Sequence, residues 1–119
     1  MYQFYFEKLE VWKNSRDLYY EIHELTKKFP VDEKMGLTSQ IRRASVSISL
    51  NLSEGSTRNT RKDQAKFTSV AYGSLMELLN LLIFCNHLSY INDHTYLRLR
   101  EKTEILASQL NALRKAQQT

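Results

Sequence analysis

The chain has 119 residues, 42% hydrophobic and 25% charged, with a net charge of +4. That is one domain, long enough to bury a core without a metal or disulfide staple. Three glycines and one proline are too few for the turns of a β-rich fold of this length, and a lone cysteine, Cys85, excludes an internal disulfide.

The opening MYQFYFEKLE carries acidic residues early and lacks an apolar h-region, so it does not read as a secretory signal. Four helical segments follow in chain order. The first is expected from about Phe6 to Phe29, with Leu9, Trp12, Tyr19, Ile22, Thr26 and Phe29 at three- and four-residue steps. Pro30 closes it, because proline disfavours helical geometry in the residue before it and has no N–H to donate.

The second segment is expected from about Thr38 to Glu54, with Leu37, Ile41, Ala44, Ile48 and Leu52 on one face. Gly55 stands where a left-handed C-terminal cap belongs. The third opens at Asn59 or Thr60, both good N-caps, has Asp63 in its first turn, and runs to about Leu88. The fourth starts at Asn92 or Asp93 and carries Tyr96, Leu99, Thr103, Leu106, Leu110 and Leu113 in alternating steps of three and four. Short connections make neighbouring helices antiparallel. The expected fold is all-α, an up-down-up-down antiparallel four-helix bundle spanning residues 1–119.

The third helix carries two apolar stripes. Phe67, Val70, Ala71, Leu78, Leu81, Cys85 and Leu88 are assigned to the core, with Cys85 as a buried reduced thiol. At about 100° per residue, Tyr72, Met76, Leu79, Ile83 and Tyr90 fall on nearly the opposite side, where a monomeric bundle should be polar. Either the helix is central within its own chain or another subunit covers the outer stripe. A four-helix bundle has no central helix, so these five residues are the expected interface of a homo-oligomer. Gly73 and Ser74 are small enough to admit a second helix closely, or are merely tolerated at mid-helix.

Between Thr38 and Val70 stand six bases, Arg42, Arg43, Arg58, Arg61, Lys62 and Lys66, against two acids, Glu54 and Asp63. That surplus equals the net charge of the whole chain. Three readings compete: a solvated face, a phosphate-binding patch for RNA or DNA, or a surface for an acidic protein. No aromatic residue interleaves with the bases, as single-strand binders have.

Catalytic and metal signatures are absent. His23, His87 and His94 are scattered, and Cys85 and His87, two residues apart, point in different directions on a helix. No glycine-rich phosphate loop, nucleophile elbow or carboxylate pair stands out. The chain therefore reads as a non-enzyme with no cofactor, no metal and no small-molecule substrate. Ser45, Ser47 and Ser49 read as small residues for close helix packing, and Asn51 as a polar contact near the turn between helices two and three. The densest apolar run, Leu75 to Cys85, is interrupted by Glu77 and Asn80 and falls short of the about 20 residues that span a bilayer. A cytoplasmic protein is expected by elimination.

The run GLTSQIRRASVSISLNLSEGSTR, Gly36 to Arg58, resembles the signature of the 23S rRNA intervening-sequence proteins, also called four helix bundle proteins. The flanks agree: Phe6, Leu9 and Trp12; Phe29-Pro30 with Glu33; and Ala71-Tyr72-Gly73-Ser74-Leu75 with Glu77-Leu78. The resemblance covers nearly the whole chain. It implies a cytoplasmic bacterial four-helix bundle that assembles as a homopentamer, and it brings no established molecular activity.

Two functions follow as expectations. One is a non-enzymatic homo-oligomer that binds RNA or DNA through Arg42, Arg43, Arg58, Arg61, Lys62 and Lys66 with little sequence readout. The other is a protein-interaction scaffold or accessory subunit, for example to a polymerase or ribosome-associated factor, without nucleic-acid contact of its own.

Overall fold

Leu9 decides where the first helix begins. Its backbone is extended (φ −76°, ψ 126°), so a 3-10 turn, Tyr5–Lys8, precedes it and α1 runs from Glu10 to Thr26 rather than from Phe6. The turn folds the Phe6 ring edge-on against Trp12, with centroids 5.1 Å apart. The other end of α1 also stops short of expectation. Lys27, Lys28 and Phe29 donate their N–H groups three residues back, to Glu24, Leu25 and Thr26, which tightens the chain ahead of Pro30. Phe29 is outside the helix yet still buried.

The computed structural model, which describes residues 1–119, continues with a second 3-10 turn, Val31–Glu33, then α2 (Leu37–Gly55), α3 (Arg61–His87) and α4 (Asp93–Gln117), with no strand. Two caps set the later boundaries. Thr60 Oγ1 accepts from the Asp63 N–H at 3.1 Å, and Asn92 Oδ1 accepts from the Thr95 N–H at 2.8 Å. Each helix packs beside its sequence neighbours and α4 returns to α1, while the diagonal pairs do not approach. Cross-links of descending number confirm antiparallel packing: Asn14 donates to Gln109 at 3.1 Å and Lys102 to Glu21 at 2.7 Å. The result is the expected up-down-up-down bundle, 43 × 29 × 22 Å.

All four helices feed the core. Ile22, Ile41, Ile48, Leu75, Leu78, Leu82, Leu99, Leu106 and Leu110 are essentially inaccessible to solvent. Three of the buried hydroxyls are satisfied within their own helices: Thr26 donates to the Ile22 carbonyl at 2.8 Å, Thr103 to Arg100 at 2.6 Å and Ser15 to Trp12 at 2.7 Å.

The core face of α3 differs from the expected one. Leu75 and Leu82 are fully buried, whereas Val70 and Leu88, assigned to the core by spacing, are 54% and 52% exposed. The helix sits between α2 and α4, so its buried arc is centred on Ala71, Leu75, Leu78, Leu82 and Cys85. Val70 and Leu88 lie about 90° or more from that centre. By length and composition α3 is apolar enough to cross a membrane, more so than the interrupted run Leu75–Cys85 suggested. Here nine of its residues are buried in the bundle.

Gly55 does not adopt the left-handed cap, since no glycine in the chain has positive φ. It is the last residue of α2, and an added Cβ would stand 2.6 Å from the Phe67 Cβ. Its requirement is steric: α2 and α3 approach too closely there for any side chain. The left-handed position falls instead on Ser89 (φ 63°), at the end of α3. There the Tyr90 N–H donates to the Cys85 carbonyl at 2.9 Å and the Ser89 N–H to Asn86 at 3.0 Å, the double closure of a Schellman motif. We therefore expect Gly55→Ala to destabilise the bundle by about 1–3 kcal/mol in urea unfolding, and Gly55→Asn by more. A left-handed cap would instead have tolerated Asn. Combining Gly55→Ala with Phe67→Gly, which removes the opposing Cβ, should cost less than the sum of the two single changes.

Candidate functional site

The turn between α2 and α3 brings Arg58, Arg61, Lys62 and Lys66 to one end of the bundle. Lys8 before α1 and Arg114 and Lys115 in the last turn of α4 reach the same end. Their states differ. Arg58 lies 3.8 Å from Glu54 and stacks over the Phe67 ring at 5.1 Å. Lys66 is 3.4 Å from Asp63, one turn away. Arg61 Nη1 donates to the carbonyls of Ala116 and Thr119 at 3.4 and 3.5 Å, which leaves most of its guanidinium donors open. Lys62 is exposed and has no ion-pair partner. The exposed pairs are weak and screened, so they do not cancel the positive field of this end.

Arg42 and Arg43 do not join this cluster. At 1.5 Å per residue they lie about 18 Å up α2 from Gly55. Arg42 is further tied inward: its Nε donates to Thr26 Oγ1 at 2.7 Å and its Nη2 to the His23 carbonyl at 3.3 Å. It is a strut between α1 and α2. Arg43 is exposed, but alone.

Two depressions meet at the basic end. A shallow groove of about 550 Å³ runs between α3 and the end of α4, lined by Arg61, Lys62, Lys66, Ser69 and Gln117 among others. Beside it, a narrower cleft of about 300 Å³ is lined by Tyr5, Asn51, Gln64, Arg61, Thr68 and Gln117 among others. Arg61 and Gln117 belong to both. Tyr5 comes from the far N-terminal turn and Phe67 from α3, so aromatic groups do stand among these bases. Tyr5 is far from these bases in sequence, and Phe67, next to Lys66, has the spacing of a core residue.

Asn51 and the serines knit α2 to α3 above the cleft. Asn51 Nδ2 donates to the Ser47 carbonyl at 2.8 Å and to its hydroxyl at 3.1 Å, and Ser47 shares a 2.8 Å hydrogen bond with Ser74. The contact fixes the two helices along their length rather than at the turn. Gly73 is exposed, and an added Cβ there would meet nothing within 4 Å.

The expected outer stripe of α3 divides. Met76 and Ile83 are exposed at 37% and 39%, and with Val70, Phe84 and Leu88 they leave an apolar outer face on this helix. Leu79 is half-buried, and Tyr72 packs on the core beneath the Arg114 guanidinium, 5.2 Å from its ring. Tyr90 is not on the outer face. The Schellman motif turns it inward, where it packs against Phe29 with centroids 5.5 Å apart and donates from its hydroxyl to Glu33 Oε2 at 2.8 Å. Glu33 Oε1 in turn accepts the Leu37 N–H at 3.3 Å, so one carboxylate joins both loops at the end opposite the bases. The hydrogen bond to Glu33 holds the Tyr90 proton more tightly than usual, and burial, helped by the charge of Glu33, pushes the Cys85 thiol up to about 11.

A family profile of 23S rRNA-intervening sequence proteins matches residues 7–112. A comparison with curated proteins returned no match. Among solved structures, a crystal structure of a protein of unknown function from the S23 ribosomal protein family of Bacteroides thetaiotaomicron superposes with a TM-score of 0.81. It is 22% identical in sequence, and the alignment covers 88% of this chain and 98% of that one. At that identity the likeness speaks for the fold.

Both the Tyr90 and Cys85 protons are held more tightly in the folded chain than in the unfolded one, so stability is lost as they leave. The urea midpoint should hold near neutral pH and fall as pH rises from about 9 toward about 11, the interval between the ordinary thiol value and that of Cys85. Tyr90→Phe and Cys85→Ala should each flatten part of that decline, measured against their own neutral-pH values. Thiol alkylation should label Cys85 only after unfolding.

Proposed function

The chain belongs to the 23S rRNA-intervening sequence protein family, and on that premise we propose that it is a non-enzymatic homo-oligomer that binds RNA or DNA by its phosphates. The observation that carries this reading is the gathering of Arg58, Arg61, Lys62 and Lys66 on one end of the bundle, the last three of them along a groove. Lysine and arginine there neutralise phosphates and release counterions, without the base-edge contacts that read sequence. Arg42 and Arg43 are left out of this binding surface for the reasons of geometry given above.

The apolar face of α3 supports the assembly. Val70, Met76, Ile83, Phe84 and Leu88 are large, exposed and on one helix, a surface that a second copy would cover. The family resemblance implies five copies in a bacterial cytoplasm. In a closed ring the basic ends repeat, and their fields and contacts add.

A second reading, a protein-interaction scaffold, draws on a different surface. Tyr20 on α1 and Leu97 and Ile105 on α4 are 58%, 62% and 50% exposed. A partner held there would survive nuclease and moderate salt.

Fluorescence anisotropy of nuclease-treated protein with labelled RNA and DNA at about 50 and about 200 mM salt tests the first reading. Affinity should fall steeply with salt. The combined Arg58→Gln, Arg61→Gln, Lys62→Gln variant should weaken binding to all sequences alike and reduce the salt slope by about 2–3, with unchanged helicity. Unaltered binding in that variant would remove the proposal. For assembly, light scattering should report a multiple of the chain mass, and Phe84→Asp with Val70→Asp should reduce it while the bundle stays folded.

A further inference from the structure

The cleft beside the basic groove has a chemistry the phosphate reading does not use. Three side-chain amides line it, and each spends one half on the protein. Asn51 uses its Nδ2 on Ser47, Gln64 donates its Nε2 to the Arg58 carbonyl at 3.1 Å, and Gln117 Oε1 accepts from the Thr68 hydroxyl at 2.7 Å. The halves left over are Asn51 Oδ1, Gln64 Oε1 and Gln117 Nε2: two acceptors and one donor, held by the bonds their other halves make. Tyr5, 66% exposed, stands at the same cleft and offers an aromatic face. Arg61 belongs to both the cleft and the cationic groove.

Mixed amide donors and acceptors recognise the edge of a nucleobase, and an exposed aromatic ring stacks on its face. A cavity of about 300 Å³ is at the lower limit of ligand pockets and takes one heterocycle. In a duplex that edge is already engaged with the opposite strand and the face is stacked. We infer that the cleft takes an unpaired base while Arg61, Lys62 and Lys66 hold the flanking phosphates, so that the ligand of this site is a single-stranded or looped segment. This rests on the phosphate-binding reading above and adds the class of nucleic acid to it.

The arrangement explains why Arg61 is only loosely held by the Ala116 and Thr119 carbonyls, at 3.4 and 3.5 Å. It can turn toward a phosphate at the boundary of the two depressions without breaking a strong bond. Lys62 and Lys66 stand one helical turn apart on the far side, spaced to follow a backbone along the groove.

The test uses the full chain and three labelled probes of equal phosphate number: a single-stranded RNA, the same strand with abasic positions, and a blunt duplex. Anisotropy should show the intact single strand binding about tenfold or more tighter than the other two, as stacked bases contribute in single-strand binders. Tyr5→Ala should bring the single strand down to the abasic level with an unchanged salt slope, Tyr5→Phe should restore it, and Gln64→Ala should act in the same direction as Tyr5→Ala. Circular dichroism keeps folding in view, and Tyr5 is exposed enough that its removal leaves the core intact. Equal, salt-sensitive binding of all three probes overturns the inference and leaves the phosphate reading standing. Absence of binding to any probe overturns both.

Discussion

Everything functional in this bundle depends on how closely α2 and α3 approach. Gly55 meets the Phe67 Cβ at a distance no side chain could share, and about two helical turns further in, Ser47 and Ser74 hydrogen-bond across the interface at 2.8 Å. Small residues let two backbones come near, and the buried hydroxyl pair then fixes their register. Because the connection after Gly55 is short, this contact also decides where Arg58, Arg61, Lys62 and Lys66 emerge. A looser junction would spread the same charges around the end of the molecule instead of setting Arg61, Lys62 and Lys66 along one groove.

The two ends of the bundle are built by opposite means. At the basic end, turns leave cations and amide groups facing solvent. At the other, the Schellman closure at Ser89 turns Tyr90 inward, and Glu33 gathers the Tyr90 hydroxyl and the Leu37 N–H into one polar knot over Phe29 and Cys85. A carboxylate accepting two such bonds ties the α1–α2 loop to the α3–α4 loop. One end is locked, and the other presents charged and hydrogen-bonding groups to whatever approaches.

The sides divide in a similar way. On α1 and α4, Glu21 pairs with both Arg98 and Lys102 and Asn14 with Gln109, a polar seam over a lightly packed interface. On α3 the outer surface is apolar, with Val70, Met76, Ile83, Phe84 and Leu88 exposed. These side chains are already about half buried or more, so covering this face would contribute less for each than the about 1.5–3 kcal/mol of a full burial, before association costs. A basic end and an apolar flank on different surfaces can serve binding and assembly without competing.

The four helices, their order and their antiparallel packing are legible in the sequence, because apolar spacing, Pro30 and the cap candidates at Asn59 or Thr60 and at Asn92 or Asp93 are local signals. Their ends were less legible: Leu9 is extended and the last turn before Pro30 tightens, neither of which periodicity records. The direction each side chain takes came from packing. Val70 and Leu88 share the spacing of core residues, yet α3 sits between two neighbours and turns them out. Gly55 reads as a cap but serves a steric contact with a residue twelve positions on, and Tyr90 reads as surface but is drawn in by Glu33, fifty-seven positions away. Arg42 counts toward the net charge like any other base until Thr26 and His23 engage it. The cleft itself unites Tyr5, Asn51, Gln64 and Gln117 from four separate stretches of chain. A one-dimensional pattern carries period and polarity; which distant groups meet is set by packing, and the site is made of such meetings.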